Sequence, residues 1–358
     1  MEVVGTLTLA FLFLVVAGWV WQAVESERDA RRNPPPGQMV DVDGHRLHLR
    51  SLGQGSPAVV FEAGLGGSSV GWCLVQPEVA KFTRAVSYDR AGLGWSAPSP
   101  SGRALGINSR PRTSQVMVEE LRTLLTRAGV EPPYVLVGHS FGAYVVQLFV
   151  VRYPKEVAGL VLVDPLPASE WYPLTGRQKA RLAKGVRLAR YAAALARFGV
   201  ARMFLALVMG PRWATRLFML VVGVCTLAAA RINLRAVGGG VRGAERMRAA
   251  LGKLPAEAVA QLRALWSQPT YFQAWARELE NLPESAAQLA TTDIAREIPL
   301  TVLSAGSASP ARLEEHEVLA QQSARGRHQV VFGSGHVIQL DAPAIVVEAI
   351  RNLINGGE

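Results

Sequence analysis

Cysteine is nearly absent. The 358 residues carry two, Cys73 and Cys225, far apart in the chain, which excludes a disulfide-stapled scaffold and reads as two idle thiols. Cys-His spacings of the kind that hold zinc are missing, so a zinc-finger reading falls away. Charge is sparse as well, at 18% of residues with a mean hydropathy of +0.18. The chain is still basic overall, at +10, but its arginines are scattered rather than gathered into a recognition helix. Nucleic acid is therefore not an expected partner, and an acidic surface is. No Gly-Lys-Ser/Thr follows the glycine-rich turn at Gly64 to Gly67, so a phosphate-binding loop of the Walker type is excluded.

One long apolar run is present. Val3 to Val24 is almost wholly apolar, long enough at ~1.5 Å per helical residue to cross a bilayer core of ~30 Å. Trp19 and Trp21 stand near its end, where aromatic belts lie. A cleaved signal peptide would need a basic start and a small-x-small site; Glu2 precedes the run and Gln22-Ala23-Val24-Glu25-Ser26 ends it. The expectation is an uncleaved anchor over residues 1–25. Arg28, Arg31 and Arg32 follow it, which puts the following chain on the cytoplasmic side. Residues 26–37, ending in Asn33-Pro34-Pro35-Pro36-Gly37, form a stiff linker.

The centre of the chain is Gly138-His139-Ser140-Phe141-Gly142. It follows the apolar run Tyr134 to Val137 and precedes a helical stretch, Ala143 to Arg152. Strand, Gly-x-Ser-x-Gly and helix together make a nucleophile elbow. Ser140 is accordingly the candidate that attacks a carbonyl carbon.

Around it, strands and helices alternate. Gln38 to Leu52 is a hairpin turning at Asp43-Gly44, with His45 and His48 expected to face solvent. Ala58 to Glu62, Ala85 to Tyr88, Gly159 to Val163, Leu300 to Ser304 and His328 to Phe332 read as buried strands. Ser114 to Ala128 and Ala311 to Ala324 read as helices, as does Ala344 to Ile354, with Asp341 as its cap. Residues 166–296 break the alternation and read as helical, with 16 Arg and 3 Lys against 7 acidic residues, a local charge of +12. Within them Leu217 to Leu227 is apolar but too short to span, and reads as a buried helix or one that dips into a membrane. Trp213, Trp266, Tyr271, Phe272 and Trp275 are core aromatics or the lining of an acyl pocket.

Four motifs stand in order: Gly64-Leu65-Gly66-Gly67, Tyr88 to Ser96 (Tyr-Asp-Arg-Ala-Gly-Leu-Gly-Trp-Ser), Gly138 to Gly142, and Gly333-Ser334-Gly335-His336. On these the chain resembles the α/β-hydrolase superfamily over residues 38–165 and 298–356. The resemblance implies a doubly wound, mostly parallel α/β sheet in two parts, 38–165 and 297–358. The helical cap is inserted at 166–296 and the transmembrane helix lies ahead of both. It implies Ser140 as nucleophile, His336 as base, and the backbone N–H groups of Leu65 and Phe141 as the oxyanion hole. It also implies an acid after the strand Leu300 to Ser304, but the loop Ala305 to Pro310 has no carboxylate. Asp164, at the alternative position some lipases and dehalogenases use, is the favoured substitute; Glu314 and Glu315 are the others. The expected reaction is hydrolysis of a small-molecule or lipid carboxylic ester through an acyl-enzyme, with no metal or organic cofactor. The same three groups also serve amide, thioester and C–C hydrolysis and cofactor-free haloperoxidation. A binding protein that kept the fold is the remaining alternative.

Overall fold

The computed structural model describes residues 2–99, 111–209, 245, 247–292 and 296–356. The chain falls into two compact units: Met1–Pro34 with Tyr191–Pro269, and Pro35–Arg190 with Thr270–Glu358.

The larger unit is built on one sheet. Its strands are β1 (Gln38–Val42), β2 (His45–Leu52), β3 (Ala58–Glu62), β4 (Ala85–Tyr88), β5 (Tyr134–His139), β6 (Val157–Val163), β7 (Leu300–Ala305) and β8 (Gly326–Val331). They lie in the order β1-β2-β4-β3-β5-β6-β7-β8, antiparallel at β1/β2 and β2/β4 and parallel elsewhere. A strand buried on both faces has no reason to alternate apolar with polar residues, which is why β3, β5 and β6 are continuous apolar runs. The period of two survives in where the side chains go. Val60, Leu136, Leu160 and Leu162 join the core on one face with Leu121, Leu124 and Phe149. Phe61, Val135, Val137 and Val161 join the other with Trp72 and Ile350. The covering helices are α2 (Ser114–Arg127) and α3 (Gly142–Arg152) on the first face. The C-terminal helix Pro343–Ile354 covers the second.

The segment 166–296 is helical wherever it is described outside its turns. It contributes α4 (Gly176–Ala196), α5 (Val200–Met209), α6 (Ala256–Trp266), α7 (Pro269–Glu280) and α8 (Leu282–Ala290). The apolar stretch Leu217 to Leu227, with Trp213 and Cys225, lies outside the described residues. Completing the set are α9 (Pro310–Ala320) and α10 (Pro343–Ile354).

In the smaller unit α1 (Glu2–Arg32) is one helix of 31 residues. It runs past residue 25 without a break and stops ahead of Pro34-Pro35-Pro36, which can neither donate to a helix nor let the preceding residue stay helical. Its most apolar 18-residue window has a mean hydropathy of 2.3, and no part of that window is buried.

Three expectations need correction. His45 and His48 are buried, not solvent-facing, at 8% and 0% exposure. His48 Nδ1 sits 2.9 Å from Asp89 Oδ2, and Glu120 is 3.5 Å from His45 Nε2, so each ring has a carboxylate to face inside the protein. Asp341 does not cap α10. It ends a short helix, Ile338–Asp341, and its Oδ2 accepts from Gly335 N at 2.6 Å. The last strand stops at Val331 and leaves Phe332 88% exposed.

Candidate active site

The carboxyl ends of β3, β5, β6, β7 and β8 converge, which is where open α/β sheets place their ligands. β5 delivers Ser140 with a backbone φ of +52°, a conformation that L-residues adopt only when their surroundings impose it. The glycines flanking the turn make that possible. A Cβ on Gly138 would lie 2.6 Å from Val146 Cγ2, and one on Gly142 would lie 2.6 Å from the carbonyl oxygen of Ala63. The turn is fastened by hydrogen bonds from Ser140 N to Val163 O at 3.0 Å and from Leu166 N to Ser140 O at 3.2 Å.

β6 delivers Asp164, also at positive φ, +42°. Its backbone N–H donates to Leu303 O at 2.7 Å and its Oδ1 accepts from Ala305 N at 2.9 Å. The other oxygen, Oδ2, is 2.6 Å from His336 Nδ1. A carboxylate can only accept, so Nδ1 carries the proton and Nε2 presents its lone pair. Ser140 Oγ is 3.0 Å from that Nε2. Burial raises the Asp164 carboxyl, but the hydrogen bonds from His336 and Ala305 outweigh it, and the group is held below its usual range. The His336 side chain is 47% exposed, whereas Ser140 is buried at 8%.

The structure thus brings together Ser140, His336 and Asp164 and leaves out Glu314 and Glu315. Both glutamates are exposed on α9, Glu315 accepts from Ser169 Oγ at 3.0 Å, and both line a cavity of about 560 Å³ beside Pro165–Ser169. The Nδ1 they would have to reach is already taken by Asp164.

Behind the elbow, the neighbouring ring of His139 is fixed. Its Nε2 donates to the His336 carbonyl at 3.0 Å, and the two rings are 4.8 Å apart. Burial and the adjacent imidazole push its pKa down to about 3, so it stays neutral. Gly64 is required against it, because a Cβ there would lie 2.8 Å from His139 Nδ1.

The turn after β3 completes the geometry. Gly67 N donates to Gly64 O at 2.9 Å and Gly66 N to Glu278 Oε2 at 2.7 Å. Among the described residues the N–H groups of Leu65 and Phe141 have no acceptor, which leaves those two available to a ligand oxygen. Two aromatic side chains of α7 stand over the turn. A Cβ on Gly66 would meet Trp275 Cδ1 at 3.0 Å and the Tyr271 hydroxyl at 3.4 Å.

Sequence reasoning missed what holds that turn. Arg90 is buried at 3% exposure between Glu62 and Glu278, both buried as well. Its Nε donates to Glu278 Oε1 at 2.6 Å, its Nη1 to Glu62 and to Ala63 O, and its Nη2 to Gly64 O at 2.6 Å. Tyr88 also bonds Glu62. Burial raises the Glu62 carboxyl against the pull of Arg90, and burial beside Glu62 raises the Tyr88 hydroxyl well up. For Arg90, burial works toward a lower pKa, but Glu278 and Glu62 reverse it and keep the guanidinium charged. The Tyr88 to Ser96 motif already contained Arg90; what it lacked was any sign of Glu278, which comes from α7.

A nucleophile elbow, an acid–imidazole pair at the carboxyl edge and a helical insertion mark an α/β hydrolase. The chain belongs to the α/β-hydrolase family, whose sequence profile (alpha/beta hydrolase fold) matches residues 57–343. The uncharacterized protein YqjL of Bacillus subtilis is 35% identical over 125 residues, 35% of this chain and 46% of that one. An AB hydrolase superfamily protein of Gibberella zeae is 35% identical over 111 residues, 30% of this chain and 32% of its own. The chain therefore matches less than half the length of these curated relatives. Among solved structures, a thermophilic esterase from Thermogutta terrifontis superposes with a TM-score of 0.55 at 20% identity, covering 89% of this chain and 97% of that one. The epoxide hydrolase CorEH superposes with a TM-score of 0.56 at 18% identity, covering 90% and 99%. At those identities the likeness is one of fold.

Proposed function

We propose that this hydrolase is a membrane-anchored serine esterase acting on carboxylic esters with an apolar acyl group, lipid esters included. The observation that carries the reading is the line Ser140 Oγ–His336 Nε2–His336 Nδ1–Asp164 Oδ2, at 3.0 and 2.6 Å. His336 takes the Ser140 proton as Oγ attacks the acyl carbon, and Asp164 orients the ring and stabilises its cation. The oxyanion is received by the N–H groups of Phe141 and Leu65, each worth ~3 kcal/mol in such a site. The C–O bond to the alcohol breaks, and the alcohol leaves with the proton from His336. Water then attacks the acyl-enzyme with His336 as base again.

A serine at the elbow speaks against epoxide opening, in which the nucleophile has to be a carboxylate so that water can cleave an ester intermediate. Tyr271 and Trp275 over the oxyanion turn support an apolar acyl group. The unburied apolar surface of α1 supports an anchor, and Arg28, Arg31 and Arg32 at its end support a cytoplasmic catalytic body. Aryl esters of graded acyl length test the reading. Turnover should rise with chain length, rise again with anionic vesicles, and vanish in Ser140→Ala. Absence of turnover at every chain length would overturn it.

A further inference from the structure

Besides α1, the described residues of the smaller unit leave a second apolar surface exposed, where the end of α4 meets α5. The two helices bend by 98° at residues 197–199. On α5 the exposed apolar residues are Val200, Met203 and Phe204, one helical face. On the last turn of α4, Tyr191 and Leu195 are exposed at 64% and 51%, again on one face.

The bend is fastened to α1 where α1 changes character. A Cβ on Gly18 would lie 2.7 Å from Phe198 O, and one on Gly199 would lie 2.6 Å from Trp21 Cε3, so backbone meets backbone and ring there. One helical turn further, Arg202 donates to Gln22 at 3.2 Å and pairs with Asp29 at 2.5 Å. The polar contacts lie on the charged end of α1 and the exposed apolar residues begin beside Trp19 and Trp21. An exposed apolar helix face that continues the surface of a helix long enough to span is the pattern of a segment lying in a bilayer interface, with its carbon among the acyl chains.

We propose that the α4–α5 bend is a second membrane contact: Tyr191, Leu195, Met203 and Phe204 enter the leaflet that α1 leaves. This rests on α1 being a membrane anchor. The occupant is a lipid surface because the exposed stripe continues, through Gly18–Phe198 and Trp21–Gly199, the apolar surface of a helix long enough to span.

The test uses the full chain in vesicles of phosphatidylcholine with phosphatidylglycerol. In a Cys73→Ser, Cys225→Ser background, an environment-sensitive fluorophore is placed at Leu195→Cys or Met203→Cys, with Phe13→Cys in α1 and Val318→Cys on α9 as references. The labels at Leu195 and Met203 should shift to the blue and be quenched by doxyl lipids, as at Phe13, while the label at Val318 is quenched only by aqueous iodide. Iodide quenching at Leu195 and Met203 with lipid quenching at Phe13 would overturn the second contact and leave the anchor standing. Shielding from both quenchers would overturn it in favour of a protein partner or a second copy. Absence of lipid quenching at Phe13 would overturn the anchor itself.

Discussion

Asp164 is where the residue-level account is most exposed to test. Its two oxygens divide their work, Oδ2 to the His336 ring and Oδ1 to Ala305 N, so the side chain both orients the imidazole and ties β6 to β7. Asp164→Asn keeps the shape but can turn an N–H toward Nδ1 and favour the wrong tautomer. Ester turnover should fall by a factor on the order of 10⁴. Glu314→Gln and Glu315→Gln should leave it unchanged, since neither touches the ring. His139 predicts a pH effect of a different kind. In the unfolded chain it binds a proton below about pH 6.5, while in the folded chain burial holds that off until about pH 3. The folded state thus binds fewer protons across this window, and stability is lost as pH falls through it, by up to ~1.4 kcal/mol per unit. The Asp164 carboxyl is depressed, so its stabilisation is complete above its unfolded value and disappears only below that, outside the upper part of the window. Urea unfolding at about pH 7 and about pH 5 should therefore show a larger loss for wild type than for His139→Gln, whose amide can still donate to the His336 carbonyl.

Elements differ in how much of their role is local. The eight strands and the elbow were readable because their causes are short-range: continuous apolar runs for buried parallel strands, and two glycines placed where any Cβ would strike Val146 or the Ala63 carbonyl. His48 was misread because its partner, Asp89, is brought in by β2 pairing with β4, a pairing that nothing in Gln38 to Leu52 announces. Glu278 was missed for the same reason. It lies 188 residues from Arg90, on a helix whose other polar positions are surface-like. The choice among Asp164, Glu314 and Glu315 likewise depended on direction in space, since all three follow strands of the sheet in the chain. Glu278 is the part of α7 that secures the turn at Gly64 to Gly67. Glu278→Ala would leave Arg90 short of a carboxylate and Gly66 N unpaired, and should destabilise the protein by ~3–5 kcal/mol in urea unfolding. Glu278→Gln, which can still accept from Gly66 N, should cost clearly less.

At the scale of the whole chain, the sheet, the helical insertion and the long apolar α1 divide the labour proposed here. The sheet aligns Ser140, His336 and Asp164, α7 braces the turn that faces them, and α1 carries an apolar surface that no described residue buries. The helical character of the described residues within 166–296 was readable from composition, because α/β alternation stops at Pro165 and resumes at Pro299. The end of α1 was not, because Glu25 to Arg32 has the charge of a linker and yet satisfies its own i,i+3 and i,i+4 pairs, Glu25 with Arg28 and Glu27 with Arg31. The division stands on Ser140 being the nucleophile, and a fluorophosphonate probe followed by peptide mass mapping addresses that directly. The account predicts one adduct, on Ser140, absent from Ser140→Ala and strongly slowed in His336→Ala. An adduct on any other residue, or full ester turnover in Ser140→Ala, would contradict it.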